Sequence, residues 1–148
     1  MKNSATLEAE LSRNGYLVYT NKGVSMMPLL RENRDLMVIE AKRPGVRCRR
    51  LDAVLFKRDN GQYVLHRILE VHPDDYLVVG DNCYQKEYVD DDHILGVMTS
   101  IVRDGKTINV TDRGYLAYVH LWCDLYPVRF FFLRGRAFLS RMKHRLLD

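Results

Sequence analysis

Cysteine is scarce in this sequence, and the little there is does not suit metal or disulfide chemistry. Cys48, Cys83 and Cys123 are far apart and odd in number. Without a Cys-x-x-Cys pair they exclude a zinc ribbon and a disulfide framework, and they suit a reducing compartment as free thiols. No His/Asp/Glu spacing fits a metal site, and neither a metal nor another cofactor is expected. Long apolar runs are also missing. No stretch reaches the roughly 18 uncharged apolar residues of a spanning helix. The longest candidate, Tyr115 to Leu133, is interrupted by Asp124, Pro127 and Arg129. The opening MKNSATLEAELSRNG lacks the apolar centre of a secretory signal. Repeats and low-complexity linkers are absent. A cytoplasmic protein is expected, with a peripheral contact to a membrane left open.

What is present suits one compact domain with a short appendage. The 148 residues are 47% hydrophobic, enough for a real core. The net charge of +4 is unevenly spread: Arg129 to Arg145 holds six Lys/Arg and no acid, whereas Asp74 to Asp92 is acidic. Leu7 and Leu11, one turn apart before Gly15, predict a short helix over 5–13. Short strands are predicted over 16–21, 36–41, 53–58, 62–71, 76–80 and 94–110, with Asn60-Gly61 and Asp104-Gly105 as tight turns. The expected fold class is therefore mainly β, an antiparallel domain over 1–110.

Residues 111–148 predict a helical extension. Residues 115–126 read as helix and Pro127 as a break. Val128, Phe131, Phe132, Gly135, Phe138, Leu139, Met142 and Leu146 then recur at helical spacing among Arg129, Arg134, Arg136, Arg141, Lys143 and Arg145. That is a basic amphipathic helix. It serves either as a peripheral anchor on a membrane surface through residues 128–147, or packs its Phe/Leu stripe on the β domain. The phenylalanines at helical spacing count against nucleic acid as its partner.

Four stretches carry candidate chemistry. GVSMMPLL (23–30) sets Ser25 in an apolar segment, LDAVLFKR (51–58) follows, VLHRILEV (64–71) holds His66, and VVGDN (78–82) holds Asp81. Acyl transfer needs a hydroxyl, a base for its proton and a group that orients the base. Singly, each residue has an ordinary structural reading. Ser25 is a loop residue, Met26, Met27, Leu29 and Leu30 are core, His66 is a satisfied core or rim histidine, and Asp81-Asn82 is a turn. His72, before Pro73, reads as a loop residue. His93 and Asp90–Asp92 read as a solvated face or a helix start.

Together the four stretches, in this order, resemble the superfamily of type I signal peptidases and self-cleaving SOS and phage repressors. Ser25-Met26-Met27-Pro28 resembles its nucleophile box, and Asp52-Ala53-Val54-Leu55-Phe56 the strand that follows. His66-Arg67 resembles the strand bearing the base, and Gly80-Asp81-Asn82 the Gly-Asp-Asn box. The resemblance covers residues 15–100. Bacterial signal peptidases and the repressors place lysine before the arginine. The archaeal and endoplasmic-reticulum type places histidine, so His66 makes this chain similar to the Ser/His variety. Histidine titrates near neutral pH and acts as a base there, whereas lysine must first be desolvated.

The resemblance implies a signal-peptidase-like β domain and a serine endopeptidase. Ser25 would be the nucleophile, His66 the base, and Asp81 the orienting carboxylate with Glu87 in reserve. Met26 and Pro28 would border the substrate, with Arg67 and Asn82 in support. The partner implied is a peptide or protein, such as a leader peptide or a regulator, lying extended beside a strand edge with small side chains before the cut. Asp81 has a second reading, in which it pairs with Arg67 and holds its loop. Gly23 stands where the bacterial enzymes place a serine of the oxyanion hole. The first twenty residues carry neither the anchor of the peptidases nor the DNA-binding domain of the repressors. These departures motivate the alternative, a non-catalytic peptide- or membrane-binding module on the same scaffold.

Overall fold

Hydrophobic alternation predicts strands with two distinct faces, and both are used. The computed structural model describes residues 4–147. Residues 1–3 and 148, at the ends of the two expected segments, and the side chain of Leu146 lie outside the described residues. The elements in chain order are α1 (Ser4–Asn14), β1 (Tyr16–Thr20), β2 (Asp35–Ala41), β3 (Ala53–Lys57), β4 (Tyr63–Val71), β5 (Asp75–Val79), β6 (Glu87–Asp90), β7 (Ile94–Arg103), β8 (Lys106–Asn109), α2 (Arg113–Asp124) and α3 (Tyr126–Leu147). The strands form one antiparallel sheet in the order β1-β2-β7-β3-β4-β5-β6, with β8 on β7. The fold is mainly β, as the alternation predicts.

Central β3 is buried at every residue from Ala53 to Phe56 because it lies between β4 and β7 with core on both faces. Ala53 and Leu55 join one apolar cluster, and Val54 and Phe56 the other. The first cluster is covered by Leu7 and Leu11 of α1 and by Tyr115, Val119 and Cys123 of α2. The extension expected to begin at 111 thus completes the core of the β domain.

Local chemistry explains where the elements agree with expectation and where they differ. Asp104 and Gly105 both have positive φ, 50° and 74°, and make the expected two-residue turn, which joins β7 to β8 within 94–110. At the other hairpin only Gly61 has positive φ. Its N–H donates to Arg58 O, and the Arg58 N–H donates to Gln62 O, giving a three-residue loop with a glycine bulge. β6 was not expected. It is four residues long, two of them acidic, and among the described residues pairs only with β5, the profile of a short, charged edge strand. The expected interruption falls at Leu125, two residues before Pro127, and separates α2 from α3; Pro127 lies in the first turn of α3, where no helical N–H bond is lost.

The loop that carries Ser25 runs from β1 to β2 and is pinned at its far end by Asp35. This buried carboxylate accepts from Arg34 Nε and Nη2, Arg103 Nε and the Arg31 N–H at 2.7–2.9 Å. Burial works to raise its pKa, but Arg34, Arg103 and the Arg31 N–H outweigh that and hold it well below the usual carboxylate range. A carboxyl whose folded value lies below its unfolded value of about 3.9 stabilises the fold above that pH and loses the contribution as pH falls. The thermal midpoint of the wild type is therefore expected to drop more steeply below about pH 4 than that of Asp35→Asn. Parallel curves for the two proteins would remove this role from Asp35.

Candidate active site

His66 and Arg67 are consecutive in β4, so their side chains leave opposite faces of the sheet. That alternation sorts the acids around them. Arg67 and Asp81 are both fully buried and form a two-point pair, Nε to Oδ1 and Nη2 to Oδ2, each 2.8 Å. Arg67 Nη1 also donates to Leu51 O and the Tyr115 hydroxyl. From α2, the Tyr118 hydroxyl donates to Asp81 Oδ2 at 2.9 Å and Trp122 Nε1 to Asp81 O at 2.7 Å. Asp81, expected to orient His66, is committed to Arg67 and the α2 face instead.

The carboxylate beside His66 is Glu87. Its Oε1 lies 3.0 Å from His66 Nδ1. The distance is that of a hydrogen bond but the orientation is not, so among the described residues Nδ1 has no hydrogen-bond partner in this conformation. Arg58 grips the same carboxylate with Nε at 2.9 Å and Nη2 at 2.6 Å. His66 and then Arg58 pull the Glu87 carboxyl down to about 2, against the effect of burial. Phe56 holds the imidazole edge-on, with ring centroids 6.0 Å apart. Strand register puts Glu87 here: β6 pairs with β5 at Val78, and β5 with β4 at Ile68, so Glu87, Val78, Ile68 and His66 share one face.

Ser25 reaches the site from its own loop. Gly23 has φ of 77°, and a Cβ placed there would meet nothing within 4 Å. Its glycine is explained by the left-handed backbone that turns the chain toward Ser25. Met26 and Leu30 are fully buried in the core and anchor the loop. Met26 therefore does not border a substrate, and exposed Pro28 is not part of the cleft, contrary to the expectation for both. Asn82 does support the loop: its N–H donates to Ser25 O at 2.8 Å.

Gly80 is the meeting point. A Cβ on it would lie 2.6 Å from Ser25 O, 2.9 Å from Cys83 Sγ and 3.0 Å from His66 Nε2. Only a residue without a side chain lets the Ser25 backbone and the His66 ring close over this strand end. Gly80→Ala is expected to destabilise by about 1–3 kcal/mol, the range for overpacking against rigid neighbours. A denaturation midpoint equal to that of the wild type would disprove the contact.

Ser25, His66, Asn82 and Glu87 line one cleft of about 640 Å³. Tyr19 of β1 lines it too, so the sheet curls until its two outer strands, β1 and β6, flank the same cleft. Among the described residues neither the Ser25 hydroxyl nor its N–H makes a hydrogen bond, nor does the Asn82 side chain. Cys83 also lines the cleft, but burial pushes its thiol up, which keeps it protonated and a poor nucleophile. Elsewhere, Asp90, Asp92 and His93 bring one potential ligand atom each within 4.8 Å of one another. This is a surface grouping of a kind common without an ion.

Sequence reasoning missed Arg58, Tyr118 and Trp122. Arg58 closes the quoted LDAVLFKR stretch, but nothing local says that a carboxylate from β6 will meet it. The sequence matches no protein-family model and no curated protein.

Proposed function

We propose that the protein is a serine endopeptidase acting through Ser25, His66 and Glu87. The observation that carries this reading is the convergence of a hydroxyl, an imidazole and an ionised carboxylate in one cleft between two outer strands. The order of the four sequence boxes supports it as well.

In this mechanism a peptide lies extended in the cleft, its backbone pairing with an outer strand. Ser25 Oγ attacks the scissile carbonyl while His66 Nε2 takes the hydroxyl proton. Glu87, at Nδ1, stabilises the imidazolium that forms. The Ser25 N–H and Asn82 Nδ2 receive the oxyanion and supply the donors that Gly23 lacks. The C–N bond breaks as His66 passes its proton to the leaving amine. Water, activated by the same base, then hydrolyses the acyl-enzyme.

The test is incubation of the purified protein with a pool of leader-like peptides, comparing wild type, Ser25→Ala and His66→Ala by mass spectrometry. Cleavage by wild type alone is the expected result. Cleavage that survives both substitutions overturns the reading. A second reading, a non-catalytic peptide-binding module, is favoured by the unbonded Ser25 hydroxyl. It predicts peptide capture by all three proteins and cleavage by none. Catalytic hydrogen bonds often tighten only when substrate binds, which is why the catalytic reading is preferred.

A further inference from the structure

We propose that α3 is an interfacial helix that docks the protein on an anionic phospholipid surface. The proposal does not depend on the peptidase reading. It rests on which side of α3 the body of the protein already occupies. Arg129 and Leu133 are buried and Phe130 is half-buried, so this side of the helix packs inward over its first two turns. The Arg129 guanidinium sits over the rings of Trp122 and Tyr126, 5.5 and 4.8 Å from their centroids. Its Nη2 faces the carbonyls of Gly80 and Cys83 at 3.5 and 3.4 Å.

The opposite side carries the apolar stripe. Val128, Phe131, Phe132, Phe138, Leu139 and Met142 are all exposed, Phe131 to 72%. At about 100° per residue they fall within an arc of about 120° centred away from the buried side. The stripe is therefore not packed on the β domain, one of the two roles the sequence left open. A continuous apolar face of this kind on a helix marks an interaction surface.

Charge identifies the occupant. Lys143 and Arg136 border the arc on one side, and Arg134, Arg141 and Arg145 on the other, all exposed. No acidic residue lies between Leu125 and Leu147. A second copy seated on the stripe would bring two pairs of cationic rims together. Duplex nucleic acid offers phosphates but no apolar bed for the phenylalanines. An anionic bilayer offers both, acyl chains for the stripe and headgroup phosphates at the depth the arginine and lysine stems reach. Among the described residues no helix is long and apolar enough to cross a membrane. α3 would therefore lie in the plane of the interface. Because Arg129 joins its first turn to the Gly80–Cys83 loop, docking would also set the cleft close to the lipid.

Co-sedimentation of the full-length protein with vesicles tests this. One set is phosphatidylcholine, the other an equal mixture of phosphatidylglycerol and phosphatidylcholine. Binding is expected to the anionic set, at least about tenfold stronger than to the neutral one, and released by salt. Phe131→Ser/Phe138→Ser should weaken it by about tenfold or more, and Arg134→Gln/Arg141→Gln by about tenfold. All four positions are exposed, so an unchanged thermal midpoint verifies that the variants fold. Absence of binding to the anionic vesicles overturns the proposal, as does binding that both double variants leave intact. Self-association through the stripe in place of vesicle binding overturns it in favour of a second copy. Duplex DNA binding in place of vesicle binding overturns it in favour of nucleic acid.

Discussion

Replacing His66 with alanine is expected to lower kcat/KM on a cleaved peptide by about 10⁴-fold or more, and Ser25→Ala to lower it as much. The double variant should be no worse than either single one, because nucleophile and base act as a unit. Glu87→Gln should lower kcat by about 10²-fold and leave KM nearly unchanged, since Glu87 touches the imidazole and not the peptide. The effect is smaller than for a fully buried third member because the Glu87 side chain is 29% exposed and shared with Arg58. Glu87→Asp should recover part of the loss. A merely structural role would instead move the thermal midpoint and spare kcat. The Glu87 carboxyl is pulled down to about 2, so it stays ionised wherever a histidine works as a base. Steady-state kinetics on one defined peptide checks all of these. Full kcat in Glu87→Gln would show that the wrong carboxylate has been assigned to His66.

Asp81→Ala is expected to destabilise the protein by about 3–5 kcal/mol, because it leaves the Arg67 charge buried with no anion beside it. Both side chains have no exposure, so solvent cannot compensate. The Tyr118 hydroxyl loses its acceptor as well. Removing the charge together with its partner, in Arg67→Met/Asp81→Ala, should recover a substantial part of the loss, since a buried pair is costly chiefly when broken. Chemical denaturation of the two single variants and the double variant measures the coupling. If Asp81→Ala unfolds at the wild-type midpoint, the pair does not hold the loop. Such a large cost is also the physical reason that Asp81 is poorly suited to orient a catalytic histidine: its charge is already matched where it stands.

Several of these features are legible in the sequence. Alternation marked most strands, paired leucines marked α1, and the Asp104-Gly105 turn divided the last strand in two. Short β6 escaped because four residues with two acids carry almost no strand signal; its pairing with β5 makes it a strand. The spacing of Val128 to Met142 revealed an amphipathic helix but not the direction its stripe would face.

By itself, then, the sequence determined the antiparallel β class, the helical extension, and Ser25 and His66 as the residues to examine, because periodicity and short motifs are local properties. Which carboxylate meets His66 was decided by tertiary structure alone. Asp81 and Glu87 are both close enough in sequence to be candidates. The choice depends on strand register, which puts Arg67 and Asp81 beneath α2 and His66 and Glu87 on the opposite face. The orientation of α3 was settled in the same way, by the burial of Arg129 and Leu133 against the body, which leaves Phe131, Phe132 and Phe138 facing out. In both cases a side chain's partner depends on which face packs against which, and no single segment contains that information.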